Sequence, residues 1–404
     1  MLTSILEKTN TYFDSLLVAI LCCVPMISFL VNINNIIPFT LGVLLLSLLI
    51  KKRNEIFKNY KKGLFFLIYI FIFFIFLLIN CIVFGIHEEG LKKILSFFVY
   101  GFLPWIFLYI MYICNSNLKF IIVIKFINFF YALFALSIYT TNFWVYTPKD
   151  RMAISYYILP LLLSVFFEFL LDKYNSISIK VVKAIIYLII YYPYLRFTIG
   201  FMSRGTILSV FLCVFFAILC LLNKKNKIIL STISILVAII ILIFGVPLLE
   251  GLQSLVSYFN ISFEFINKNL NLLQSNNLGN GRSLIYQNAI NGIIQHPIIG
   301  NGIGSFNMVY GTYPHNFIMQ TWYEGGILYM LFLTIPIIYS FFRVVYGNDI
   351  KKEFKLFYLF IFFLTIVRLL LSFEYWLDLF FWICIFISLY LIKKDIKKTE
   401  LKGD

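Results

Sequence analysis

Charge is scarce in this chain. Lys, Arg, Asp and Glu supply 13% of its 404 residues, whereas 62% are apolar and 20% aromatic. A soluble domain is about one-quarter charged and about one-half apolar, so these values exclude both a soluble core and a disordered chain. No D-x-D pair occurs either, which argues against a divalent-metal diphosphate site. The seven cysteines (22, 23, 81, 114, 213, 220, 384) lie in apolar runs or at an inner run end, without C-x-x-C spacing. That excludes a disulfide framework or a thiolate metal site and leaves them as packing residues. No internal repeat is visible. No small-residue cleavage site follows the first apolar run, so that run is expected to be a retained span rather than a signal peptide.

What is present is length of apolar sequence. A helix needs roughly 20 apolar residues to cross a ~30 Å hydrocarbon layer. That ruler predicts spans at 14–32, 36–50, 64–85, 93–113, 118–139, 152–171, 181–199, 206–222, 228–247, 316–342, 354–372 and 375–392. The expected fold is an all-α polytopic membrane protein of about twelve transmembrane helices. The net charge of +15 raises nucleic acid as a partner, but its placement answers otherwise. With the N-terminus inside, the inner segments (51–62, 172–183, 223–227, 343–355, 393–404, with Lys8 and Lys119) hold 23 of the 33 basic residues. The excess is a positive-inside topology signal, both termini are expected in the cytoplasm, and nucleic acid drops out.

One connection is long. Residues 248–315 fall between spans nine and ten, on the outer side, dividing the chain into 1–247, 248–315 and 316–404. Within this loop, 281–297 places Ile285, Ala289 and Ile293 on one face, predicting an amphipathic helix on the bilayer surface or over the bundle mouth. "HPIIGNGIGSF" (296–306) is rich in glycine, but no strand precedes it and no βαβ unit surrounds it. A hinge is therefore expected there rather than a phosphate loop.

The chemistry-bearing residues gather at the outer rim. Arg196 and Arg204 flank a tight turn in "YLRFTIGFMSRGTILSV" (194–210), Arg282 stands in "NGRS", and Arg368 is near the outer end of span eleven. A guanidinium stays charged, and its planar fork matches phosphate oxygens two at a time. Each arginine has two readings, a phosphate contact or an interfacial anchor or ion pair. Function is the expectation for Arg204 and Arg282. For Arg368 it is an ion pair with Glu374 or Asp378. His315, in "YPHNFIMQTWYEGGILY", precedes Asn316 at an outer helix start, where the helix dipole is expected to lower its pKa. A neutral imidazole there is a competent proton acceptor for a sugar hydroxyl. A transporter or lipid-linked saccharide flippase is the competing class. Its site would lie at mid-membrane, where Asn80, Asn128 and three prolines are the candidates the sequence offers.

Four pieces in order, "SRG" (203–205), "GR" (281–282), "HPIIGNGIGSF" (296–306) and "HN" (315–316) with Gly326 and Tyr329 beyond, resemble the bacterial O-antigen ligase and polymerase superfamily. The resemblance covers spans seven to ten and the loop. It implies a metal-independent, inverting glycosyltransferase of the C type, without cofactor, at the outer face of the bacterial inner membrane. Its implied substrate is an oligosaccharide on undecaprenyl diphosphate, within the membrane lipid. A polymerase passes the glycan to the next lipid-linked repeat, with a chain-length regulator as a possible partner; a ligase passes it to the lipid A core. By the same resemblance Arg204, Arg282 and Arg196 hold the donor diphosphate, His315 acts on the acceptor hydroxyl and Asn316 orients it. Gly325 and Gly326 then allow a neighbouring helix or lipid to approach closely. Polymerisation is the expected activity.

Overall fold

A computed structural model describes the chain except residues 1, 32–35, 117, 141–147, 172–176, 193, 195–202, 223–225, 227–228, 231, 233–281 and 404; the side chain of Arg204 also falls outside it. Every described regular element is helical. In chain order these are α1 (Leu2–Val31), α2 (Ile36–Asn59), α3 (Leu64–Phe84), α4 (Glu88–Phe97), α5 (Leu103–Ile113), α6 (Phe120–Thr140), α7 (Pro148–Leu171) and α8 (Ile177–Ile190). There follow α9 (Arg204–Leu221), α10 (Ser283–Gln295), α11 (Ser305–Tyr310), α12 (Phe317–Tyr346), α13 (Lys352–Leu371) and α14 (Leu379–Gly403).

The apolar runs and the helices coincide closely. Eleven of the expected spans have a helix over them, and span nine, 228–247, lies almost wholly outside the described residues. Among the described residues, six helical stretches are long and apolar enough to cross a bilayer, including Ile154–Leu171, Phe317–Tyr346 and Lys352–Leu371. The chain is an all-α, multi-pass membrane protein. The run 93–113 departs from one continuous helix: α4 passes through a π-turn at Phe98–Phe102 into α5. Pro104, beginning α5, has no N–H to give, and the ladder re-registers just before it.

Polar residues set the helix starts that matter. Ser203 caps α9, its side chain accepting from the Thr206 amide at 3.2 Å. Asn316 caps α12 by accepting from the Ile318 and Met319 amides at 3.0 and 3.2 Å. Asp378 caps α14 through the Phe380 and Phe381 amides at 2.9 and 3.2 Å. Each side-chain oxygen satisfies donors that have no partner inside the helix. Helix α9 lies along α13, which with α12 packs on α14. Around them the core is aromatic, with Trp105, Trp376, Trp382, Tyr131 and Tyr358 fully buried. The cysteines form no disulfide and, apart from half-buried Cys81, are buried, as expected of packing residues.

The glycine-rich loop is a clasp. The amides of Asn301 and Gly302 donate to the carbonyls of Tyr323 and Glu324 at 2.7 and 3.1 Å, and Ile327 returns a bond to Pro297 at 2.9 Å. These bonds grip α12 where it kinks at Gly326, whose φ of 76° suits glycine. A Cβ on Gly326 would come within 1.8 Å of the Ile298 carbonyl oxygen, and one on Gly300 within 2.6 Å of the Gly326 amide. Close approach was the expected use of the Gly325–Gly326 pair, and what approaches is the loop backbone. The expectation of a hinge at 300–304 is corrected: Gly300, Gly302 and Gly304 have positive φ and are buried against neighbours.

Candidate functional site

The described candidates meet at the C-terminal end of α13. Arg282, just before α10, donates from Nη1 to the carbonyl of Leu371. Tyr313 donates from its hydroxyl to the carbonyl of Ser372 at 2.7 Å. Asn316 donates from Nδ2 to the carbonyl of Leu370 at 3.3 Å. The last carbonyls of a helix lack intrahelical partners and carry partial negative charge, so donors and a cation suit them. Three consecutive carbonyls thereby gather segments 54 to 89 residues distant in sequence.

His315 stands among these anchors with φ 55°, a backbone region that a non-glycine residue rarely adopts. Such strain persists where surrounding bonds over-determine it, and here Tyr313 and Asn316 are fixed on either side. The imidazole lies against the Tyr313 ring, centroids 4.0 Å apart. Its Nε2 is 3.5 Å from the Thr312 hydroxyl, and its Nδ1 is buried without a hydrogen-bond partner. Burial, and then the Arg282 charge, hold its pKa down at about 4, so the ring is neutral near pH 7. The direction is the expected one, but the causes are burial and a guanidinium, where the sequence pointed to a helix dipole.

Burial and the Glu374 charge push the Tyr313 hydroxyl up to about 12, against the opposing charges of Arg282 and Arg368. Tyr313 therefore remains a donor at neutral pH. Its two cationic neighbours place Arg368 beside the same cluster.

The "SRG" start of α9 reaches this cluster through Gly205. A Cβ there would come within 2.0 Å of the Tyr156 hydroxyl and 3.3 Å of a Leu371 methyl. Tyr156 is in turn 3.3 Å from the Ser372 hydroxyl. Ser203 is thus a cap and Gly205 a close contact, which puts the backbone of Arg204 at the rim of the cluster. Arg196 lies outside the described residues, as does the loop 248–281. The structure thus joins Arg282, His315 and Asn316, and adds Tyr313, Tyr156 and Ser372.

Behind the site lies a buried ionic network that the sequence reading passed over. Lys93 Nζ is 2.7 Å from Glu324 Oε1 and 3.1 Å from Glu374 Oε1, and it donates to Asn307 Oδ1 at 2.9 Å. Tyr375 and Trp376 donate to Glu324 Oε2 at 2.8 and 2.9 Å. Asn80, offered by the sequence as a mid-membrane transport residue, instead ties the clasp to α12, through the Ile303 amide at 2.8 Å and the Glu324 carbonyl at 3.0 Å. A lone carboxylate in "QTWYEGGILY" was the available signal, since an ion in an apolar run requires a partner. Asn128, the other mid-membrane candidate, is buried and donates to Glu168 Oε2 at 2.6 Å, while the remaining histidines stand apart: His296 is exposed at the end of α10, and His87 precedes α4 without a side-chain cap.

Comparison with protein-family models matches residues 195–334 to the family described as O-antigen ligase. Residues 195–334 are thus similar to an O-antigen ligase domain. The match runs from residue 195, ahead of α9, through Thr334 in α12, so it contains Arg204, Arg282, the clasp, His315 and Asn316. The resemblance to the O-antigen ligase and polymerase superfamily, read from four short motifs, holds over the stretch that carried it. A search of curated proteins finds no match. The residues brought together are an arginine, a neutral imidazole and the phenol of Tyr313 from the matched stretch, with the phenol of Tyr156 from α7. That set can neutralise an anion and accept a proton, the chemistry of a glycosyltransferase-like enzyme.

Proposed function

We propose that the protein polymerises oligosaccharide repeat units carried on undecaprenyl diphosphate, at the outer face of the bacterial inner membrane. The supporting observation is the approach of Arg282 to His315, inside the matched stretch and beside the backbone of Arg204. Twelve spans, cytoplasmic termini and an extracytoplasmic 248–315 segment belong to the same proposal, because a lipid-linked repeat must reach the site from the outer leaflet.

In this scheme the acceptor hydroxyl oxygen attacks the anomeric carbon from the face opposite the diphosphate. The bond between that carbon and the phosphate oxygen breaks, and the electron pair leaves with the diphosphate. The anomeric configuration inverts. Arg204 and Arg282, with Arg196, take up the charge that builds on the leaving group, a role that fixed cations fill without reorganisation. The arginines supply this neutralisation, so the scheme uses no metal. The hydroxyl proton passes to His315. Bound diphosphate opposes the Arg282 charge and so raises the basicity of the imidazole when it is needed. Asn316, occupied with capping α12 and with the Leu370 carbonyl, acts by fixing the backbone of His315.

The ligase reading is favoured by one observation, the description of the matched family itself. It keeps the donor half of the site and changes the acceptor to the lipid A core. A gel of surface polysaccharide from a deletion strain separates the outcomes. Loss of a polymerase leaves core capped with a single repeat, loss of a ligase leaves full-length glycan on the carrier lipid, and loss of a flippase leaves repeat units inside. Arg282→Ala and His315→Ala should reproduce the deletion phenotype at normal protein level. An unchanged chain-length ladder in the Arg282→Ala strain refutes the transfer reading.

A further inference from the structure

We propose that Arg368 is a further guanidinium of the diphosphate subsite, touching the donor's phosphate oxygens from the α13 side. This rests on the transfer reading above. Arg368 is 8% exposed, deep enough for an uncompensated charge to cost several kcal/mol. The sequence predicts an ion pair with Glu374 or Asp378 to meet that cost. The structure forms neither: among the described residues no carboxylate oxygen lies within 4.0 Å of its guanidinium.

Both expected partners are engaged elsewhere. Glu374 is with Lys93 at 3.1 Å. Asp378 spends Oδ1 on the Phe380 and Phe381 amides and accepts at Oδ2 from the Thr365 hydroxyl at 3.0 Å. Its charge is felt at Arg368 only from a distance. Aromatic faces take the place of a counter-ion. The guanidinium carbon is 3.4 Å from the centre of the Phe373 ring and 5.0 Å from that of Tyr156. Such faces attract a cation but satisfy none of its N–H donors, and Nε is buried without a partner.

The contrast with Arg343, at the far end of α12, is direct. Arg343 meets Asp395 at 2.8 Å and Asp349 at 2.6 Å, which is how this chain treats an arginine that serves packing alone. Arg368 is stacked, desolvated and left with hydrogen-bonding capacity, next to a cluster that already holds Arg282. Tyr156 lies between Arg368 and Gly205, so Arg368 also faces the residue after Arg204. A ligand with two phosphates offers the several oxygens that forks from different directions require.

The test uses the full-length protein in lipid nanodiscs, with farnesyl diphosphate as probe and farnesol as the uncharged control. Arg368→Gln should weaken farnesyl diphosphate binding by at least about tenfold, the order expected on losing a desolvated charged contact, with farnesol binding unchanged. Arg368→Lys, which keeps the charge and loses the fork, should fall between. Wild-type affinity for farnesyl diphosphate in either folded variant overturns the proposal, and Arg368→Lys decides it if Arg368→Gln does not fold. Should Arg282→Ala lose diphosphate binding while Arg368→Gln retains it, the inference fails and the transfer reading stands. Should the wild-type protein bind farnesyl diphosphate no better than farnesol, both fall.

Discussion

At the scale of single residues, His315 is governed by its neighbours more than by its own chemistry. Burial comes first among the influences on its imidazole, and Arg282 second. Both disfavour the imidazolium, so the pKa is held down at about 4, well below the usual histidine value of about 6.5. Replacing Arg282 by Gln removes the second influence and keeps the first. The His315 pKa should then rise part of the way toward 6.5. Histidine ring shifts followed by NMR between pH 4 and 7 read this directly, with His315→Gln identifying the signal. If the His315 titration does not move in Arg282→Gln, the two groups do not share a field and the site as described here is mistaken.

At the scale of elements, what the sequence could and could not convey divides along one line. Apolar run length is a local property, and α1, α3, α7, α12 and α13 follow it closely because any such run in lipid must close its own hydrogen bonds. The face of Ile285, Ala289 and Ile293 was equally local, and in the structure Ala289 and Ile293 pack in one cluster with Tyr323 of α12, Ile285 against it. Pairings across the chain were not local. The sequence assigned Glu374 or Asp378 to Arg368, whereas the fold gives Glu374 to Lys93 in α4 and Asp378 to the start of α14. It described 300–304 as a hinge, because glycine permits both freedom and close contact and only the packed partner tells which. Lys93 is the test at this scale. It is 4% exposed and balances Glu324, which is fully buried. Lys93→Met strands both carboxylates and should destabilise by about 3–5 kcal/mol, seen as a large fall in the thermal unfolding midpoint in detergent. Lys93→Met/Glu324→Gln should recover a substantial part of that loss. An additive or worse double variant would show that the network is not an ion pair sustained by mutual neutralisation.

At the scale of the whole molecule, function depends on which side of the membrane holds the C-terminal end of α13. Packing is indifferent to that choice, since the bundle has the same core in either orientation. The difference lies in where the basic residues sit, with 51–62 and 393–404 among the richest segments. A lipid-linked saccharide that has been moved outward can meet Arg282 and His315 only if α10 and the loop before it are extracytoplasmic. Two exposed positions decide this: Ser283 at the start of α10 and Lys58 in the last turn of α2. In spheroplasts, a membrane-impermeant maleimide should label Ser283→Cys without permeabilisation and Lys58→Cys only after it. The native cysteines give a low background, because six of the seven are buried. The reverse pattern would put the arginines and the imidazole on the cytoplasmic face. Positive-inside bias would then have failed for this chain, and a cytoplasmic step on the same carrier lipid would replace polymerisation at the outer leaflet.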